Sequence, residues 1–266
     1  MIFDGEFVAG IDLVDVCLWL FTLFFFGLIF YLRREDRREG YPLETDTTGK
    51  QEASGTFWMP PKKKFHLPHG RGTLDQAFGP RDDRELALKR TAVWPGAPYE
   101  PTGDPLQDGV GPASYAMRED VPDLTLDGEP RIAPYRDSPG FEVAKQDKDP
   151  RGLTIYGVDG QAAGTVVDLW VDRSEAIIRY LEIETTANDA QAGQSERVLV
   201  PMPFVIVRGG RRKARVTIEA VTAEQLRAAP KTKEALSVTR REEDRISGYF
   251  GGGKLYATPD RKEPWI

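Results

Sequence analysis

Leu13 to Leu32 reads LVDVCLWLFTLFFFGLIFYL, and the rest of the chain is organised around it. At roughly 1.5 Å per residue, a helix of this length rises about 30 Å, the thickness of a bilayer's hydrocarbon core. Asp15 is its only charged residue, and from Val16 onward Cys17 is the only ionisable side chain besides Tyr31. Trp19 and Tyr31 lie near the two ends, where amphipathic rings favour the interface. No other segment has the length and apolarity to span. A cleaved signal peptide would carry its positive charge before the apolar run and small residues after it. Here Asp4, Glu6 and Asp12 precede the run and Arg33, Arg34, Arg37 and Arg38 follow it. A buried core helix is rarely apolar on every face at this length. The arginine excess after the run predicts an N-terminus outside and residues 33–266 in the cytoplasm.

Composition narrows the function classes. The net charge of −6 argues against nucleic acid as a partner. The single cysteine lies in the apolar run, so the polar part has neither a disulfide framework nor a thiolate zinc site. Twenty-six glycines and 20 prolines predict long irregular stretches.

Arg33–Arg38, RREDRR, extends the helix a turn or two beyond the span, with Arg33, Arg34 and Arg37 as candidate contacts to lipid phosphates. Between Glu39 and Gly140, 14 prolines exclude long helices and central strands. Phe57, Trp58, Phe65, Phe78, Trp94, Tyr99, Tyr115 and Tyr135 are interleaved with them. Disordered segments lack such aromatics. The stretch is therefore expected to lie extended over a partner surface. Beyond Phe141 the pattern changes. Leu153–Val158, Thr165–Asp172, Ile177–Glu184, Val198–Pro203, Val205–Val207 and Ala214–Glu219 read as short strands. Asp159-Gly160 and Gly209-Gly210 read as turns, and Ala187–Gln194 as a polar loop, which together predict a small antiparallel barrel or sandwich. Ala223–Ala228 reads as a helix capped by Thr222, and Arg240–Tyr249 as a second, stopped by Gly251-Gly252-Gly253.

Several motifs fail. His66 and His69 have no third ligand nearby, which makes a poor metal site. GGGK at 251–254 has Leu255 where a phosphate loop needs Ser or Thr, and reads as a glycine-rich turn. Arg208, Arg211, Arg212, Lys213 and Arg215 read as a solvated hairpin tip, with contact to acidic lipid head groups as the alternative. With two histidines in the chain, acid–base chemistry has to rest on carboxylates. Asp168 and Asp172 share a strand face with Trp170, and Glu175 follows in the next turn. Asp123, Asp127 and Glu129 cluster in a proline-bounded loop, and Glu242, Glu243 and Asp244 begin the last helix. Crowded carboxylates raise one another's pKa values and can share protons near neutrality, but ordinary solvated acids are the plainer reading of these residues.

Five stretches taken together resemble one family, the H subunit of the purple-bacterial photosynthetic reaction centre. They are RREDRREGYPLE (33–44), LPHGRGTL (67–74), PTGDPLQDGVGPASY (101–115), VVDLWVD (166–172) and ISGYFGGGKLYA (246–257). The resemblance implies one membrane helix with a periplasmic N-terminus in the bacterial inner (intracytoplasmic) membrane. It also implies a mainly-β cytoplasmic domain of the small PRC-type barrel. The expected divisions are 1–12 as outer tail, 13–32 as span, 33–140 as exit helix and extended segment, 141–221 as barrel and 222–266 as helical segment and tail. The implied partners are the L and M subunits, with light-harvesting antenna, a cytochrome subunit and membrane lipids as further neighbours. This chain would bind no cofactor itself. Bacteriochlorophyll, bacteriopheophytin, quinones, non-haem iron and carotenoid would belong to partner subunits. The implied role is to cap L and M and conduct protons to the secondary quinone, with no catalysis by this chain alone.

Carried over by position, the resemblance places relay acids at Asp172, Glu175 and Glu243, with Arg179 beside them. The entrance loop is where the chain departs from the family, whose well-studied members carry a histidine pair there. The loop PDLTLDGEPRI (122–132) has none. Asp127 and Glu129 stand at the histidine positions and Arg131 at a lysine position, with Asp123 nearby. A carboxylate entrance is the expectation, and inhibition by imidazole-seeking metals should be weakened. The alternative is a membrane-anchored PRC-barrel adaptor outside photosynthesis, which predicts a barrel without the aromatic and proline-rich run. A membrane-bound enzyme would need a nucleophile, metal or cofactor motif, and the sequence offers none.

Overall fold

The structure is a computed structural model of the 266-residue chain. It describes residues 6–8, 11–45, 48, 50, 58–76, 82, 84–185, 196–209 and 214–261. The expected polar loop 187–194, the turn residues Gly210 to Lys213, the aromatics Phe57 and Phe78 and the tail from 262 lie outside the described residues. The chain divides into two compact units, residues 1–83 with 93–96 and residues 84–92 with 97–266.

In the first unit, β1 (Glu6–Val8) and β2 (Ile11–Asp12) pair just before α1 (Leu13–Glu35). Asp12 caps the helix by accepting the Val14 N–H. A single 3-10 turn at Asp36–Arg38 carries the helix direction onward, as the RREDRR reading predicts. No residue of α1 is buried within the chain. A helix apolar on all sides and bare on all sides needs an apolar surrounding, and its length suffices to cross a membrane. A short hairpin follows, made of β3 (Lys64–His66) and β4 (Thr73–Asp75).

The second unit opens with a hairpin of two three-residue strands, β5 (Leu88–Arg90) and β6 (Tyr99–Pro101), then α2 (Pro105–Asp108). Asp104 caps α2 through the Leu106 N–H and Pro105 occupies its first turn, where no amide hydrogen is needed. Strands in the proline-rich run stay at three residues because each further proline would remove a ladder donor. The sheet contains β7 (Ile132–Pro134), β8 (Thr154–Tyr156), β9 (Ala162–Asp172), β10 (Ile177–Thr185), β11 (Arg197–Pro201), β12 (Val205–Arg208) and β13 (Arg215–Ile218). Its order is β11-β10-β9-β8-β13-β12, with β7 also paired to β9. The pairings are antiparallel except β8 with β13. Strand β9 is central and covered on both faces. Asp168 through Asp172 are all buried, so its polar positions are interior rather than solvated.

Two helices complete the unit, α3 (Ala223–Arg227) and α4 (Arg240–Tyr256). Both begin with a capping box, Thr222 with Gln225 and Thr239 with Glu242. The expected stop at Gly251-Gly252-Gly253 is corrected by the structure, because α4 runs straight through the glycines. Gly252 and Gly253, with Gly248 a turn earlier, serve close approach instead. A methyl group on Gly252 would lie 2.5 Å from the Ala113 side chain and 2.8 Å from its Cα, and one on Gly248 2.8 Å from the Ala113 and Ser114 carbonyl oxygens. The 3-10 turn Gly111–Ala113 is pressed into a groove that only glycine leaves open.

Candidate functional site

The hairpin turn between β9 and β10 gathers the ionisable groups. Asp172 ends β9 and is fully buried. Six N–H groups converge on its carboxylate. Oδ1 accepts from the backbone of Ser174 at 2.9 Å and Glu175 at 3.0 Å, and from Arg131 Nε at 3.1 Å. Oδ2 is met by Arg131 Nη2 at 3.0 Å and by Arg179 Nε and Nη2 at 3.3 and 3.2 Å. Glu175 closes the cluster, 2.5 Å from Arg131 Nη2 and 2.9 Å from Arg179 Nη2. Two guanidiniums thus lie between two carboxylates, a strong charge-assisted arrangement.

Arg179 reaches Asp172 because of a bulge. Ile178 faces Val171, but Tyr180 faces Trp170, so Arg179 is the extra residue of β10. The same slip sets Glu182 opposite Asp168. These two buried acids form a second network around Arg136, whose Nη1 lies 2.8 Å from Asp168 and 2.7 Å from Glu182. Arg197 donates to Glu182 at 2.8 Å, and Trp170 Nε1 donates to it at 3.1 Å. The sequence places Asp168, Asp172 and Trp170 on one strand face; the structure divides the two aspartates between separate ion networks.

The loop 122–132 approaches the Asp172 cluster from one side. Asp123, half-buried, takes Arg240 Nη2 at 2.8 Å and Arg131 Nη1 at 3.5 Å. Asp127 and Glu129 sit in an exposed tight turn closed by Thr125 N–H to Glu129 O and Gly128 N–H to Thr125 O. Their carboxyl groups make no ion pair among the described residues. Glu243, on α4, is 3.5 Å from the Tyr180 hydroxyl, which donates to it.

Electrostatics separates these acids. Burial by itself would raise the Asp172 pKa, but Arg131, Arg179 and the two backbone donors outweigh it and hold the carboxyl below its usual range. Asp123 behaves alike: burial is overcome by Arg240 and Arg131. Crowding therefore raises neither acid, and neither is an ordinary solvated one, because guanidiniums stand beside both carboxylates. Glu243 is the exception. Burial raises its pKa, helped by nearby Asp123 and opposed by Arg118 and Arg179. Burial likewise raises Tyr180. A carboxyl raised in the fold is penalised as an anion above its unfolded pKa and carries no penalty below it. Glu243→Gln should therefore raise the thermal midpoint of the full chain in detergent at pH 8, and the gain should vanish towards pH 4. A gain independent of pH would contradict this environment for Glu243.

In the first unit, Arg33 is exposed and 3.8 Å from Asp36. Arg37 lies over the Tyr41 ring at 5.2 Å, and Arg34 is half-buried with an unpartnered Nε. His66 Nδ1 is 3.2 Å from Thr73 Oγ1, and His69 sits in the hairpin turn at φ 57°. Among the described residues no three His, Cys, Asp or Glu side chains are placed to hold a metal. Sequence reasoning missed Arg136, Tyr180, Glu182, Arg197 and Arg240. An acid at Glu182, set between the apolar Leu181 and Ile183 of β10, was the one available signal.

Comparison with protein families gives two matches. Residues 5–137 match the photosynthetic reaction centre H-chain N-terminal region. Residues 142–221 match the PRC-barrel domain, which covers β8 to β13.

Proposed function

The chain belongs to the photosynthetic reaction centre H-chain family, and from that premise we propose that it caps the cytoplasmic face of L and M and conducts protons to the secondary quinone. Pigments, quinones, carotenoid and non-haem iron belong, on this reading, to the partner subunits. Helix α1 crosses the bacterial inner membrane with its N-terminus in the periplasm, and Arg33, Arg34 and Arg37 meet lipid phosphates. Antenna and cytochrome subunits are further neighbours.

The observation that supports proton conduction is the line of ionisable groups from an exposed acidic turn to a buried acid. Asp127 and Glu129 collect protons at the surface. Asp123 and Arg131 lead inward to Asp172, Glu175 and Arg179. Asp172 stays anionic through most of the physiological range, so it serves as a fixed negative charge that favours a proton nearby. Glu243, with its raised pKa, is the group suited to exchange one. Transfer between these groups proceeds through intervening water, since guanidiniums keep their protons.

The test uses the intact complex. Asp172→Asn with Glu175→Gln should slow the second, proton-coupled electron transfer to the quinone by about tenfold, a barrier change of about 1.4 kcal/mol. The first, uncoupled transfer should be unchanged. A wild-type second transfer in the double variant would refute the relay.

A further inference from the structure

The hairpin β3–β4 is tied to the exit of α1 by one buried side chain. Gln76 is 8% exposed. Its Oε1 accepts from Arg38 Nη1 at 2.8 Å and from the Lys63 amide at 3.3 Å, and its Nε2 donates to the Arg38 carbonyl at 3.2 Å. Its own amide donates to the Lys63 carbonyl at 2.8 Å. Arg38 also donates to the Pro61 carbonyl at 2.8 Å and is locked by Glu35 at 2.6 and 3.0 Å. The base of the hairpin is thus fixed to the 3-10 turn that follows the apolar helix.

What this places there is cationic and amphipathic. Residues 33–38 and 61–76 carry eight Lys and Arg side chains against three carboxylates, Glu35, Asp36 and Asp75. Glu35 is taken by Arg38 and Lys63, and Asp36 lies near Arg33. Lys62 and Lys64 are exposed and have no carboxylate partner among the described residues. Phe65 and Leu74 are cross-strand partners, so they share one face, and each is about half exposed, at 48% and 50%. An apolar pair bordered by flexible cations suits an interface where rings and aliphatic groups dip towards acyl chains. Lysine stems then carry their ammonium groups to the phosphates.

We propose that the β3–β4 hairpin is a docking element for anionic phospholipid headgroups, held at headgroup height by the Gln76–Arg38 clamp. This rests on the reading of α1 as a membrane span. Charge complementarity selects the occupant: a surface with a large excess of cations, fixed beside the membrane exit, faces a leaflet that anionic lipids make negative.

The experiment reconstitutes the full chain into vesicles of phosphatidylcholine or of phosphatidylglycerol. A spin label on Leu74→Cys, in a Cys17→Ser background, reports immersion depth. The label should read headgroup depth in phosphatidylglycerol and water in phosphatidylcholine. About 1 M salt, with a screening length of about 3 Å, should release it. Lys62→Gln with Lys64→Gln should lower the ratio of docked to undocked hairpin about 25-fold, at roughly fivefold per lysine. Equal depth in both lipids, or no effect of the lysine variant, overturns the proposal. So does a label immobilised only when partner subunits are added, which would make a protein the occupant. A second label on native Cys17 reports the span alone. Water exposure there overturns the span reading, whereas an immersed Cys17 above an undocked hairpin overturns only the lipid site.

Discussion

Asp172→Ala should destabilise the full chain by about 3 kcal/mol in thermal or denaturant unfolding. Removing one partner from a buried ion cluster costs about 3–5 kcal/mol, because the charges left behind lose their compensation. The low end applies here, since the Arg131 and Arg179 side chains are 26% and 40% exposed and water can rescue part of the loss. The backbone N–H groups of Ser174 and Glu175 lose their acceptor as well, which loosens the β9–β10 turn itself. Asp172→Asn should recover little, because its amide hydrogens would face guanidinium donors. The pH dependence provides a second check. A carboxyl held below its unfolded pKa of about 3.9 contributes stability that is full above that value and lost as pH falls through the folded pKa. The difference between wild type and Asp172→Ala should therefore be constant from pH 8 to about pH 5 and narrow in stronger acid. A loss under about 1 kcal/mol at neutral pH would mean that the cluster is a surface ornament.

Two neighbouring glycines of α4 should respond to alanine in opposite directions. At Gly251 the nearest atom to an added methyl is the Pro112 carbonyl oxygen at 3.7 Å, an ordinary contact. Gly251→Ala should gain the helix propensity of alanine, about 1 kcal/mol. At Gly252 the methyl would meet Ala113 Cβ at 2.5 Å, Cα at 2.8 Å and backbone nitrogen at 2.9 Å. Ala113 is buried in the core, so it has no open space to move into. Overpacking of this kind costs about 1–3 kcal/mol, and backbone atoms yield less than side-chain ends. A net loss of about 2 kcal/mol is expected, which makes the two variants differ by about 3 kcal/mol. Parallel melts of the two proteins measure this. Equal effects would mean that α4 does not pass Ala113 in solution as closely as described.

The glycine run shows where reading in one dimension stopped. Three consecutive glycines are an ordinary helix terminator when only local entropy is considered. Here α4 continues to Tyr256 because the packing against Ala113 and Ala220 that glycine permits outweighs the local cost. The caps were legible because they are local: Thr222 lies three residues before Gln225, and Thr239 three before Glu242. The strands from residue 153 onward were legible within a few residues for the same reason, whereas β7 was not, because its pairing with β9 joins residues about 40 positions apart. The prolines announced the short, irregular segments before them.

The ion networks were legible only in part. Counting back from Ile177 opposite Asp172, a regular hairpin sets Leu181 against Asp168. The bulge at Arg179 shifts the register by one, turns Arg179 onto Asp172 and brings Glu182 to Asp168. Nothing in the alternation of apolar and polar residues signals that slip. Arg131, Arg136 and Arg240 come from loop, turn and helix positions 41, 32 and 117 residues away from the acids they meet. By itself the sequence determined the apolar helix, its charge asymmetry, the strand content and the absence of histidines from the 122–132 loop, because each depends on residues close together in the chain. Only the tertiary structure decided which acids are held as anions by arginine and which, like Glu243, are raised by burial. A carboxyl's proton affinity is set by the charges and water around it in space.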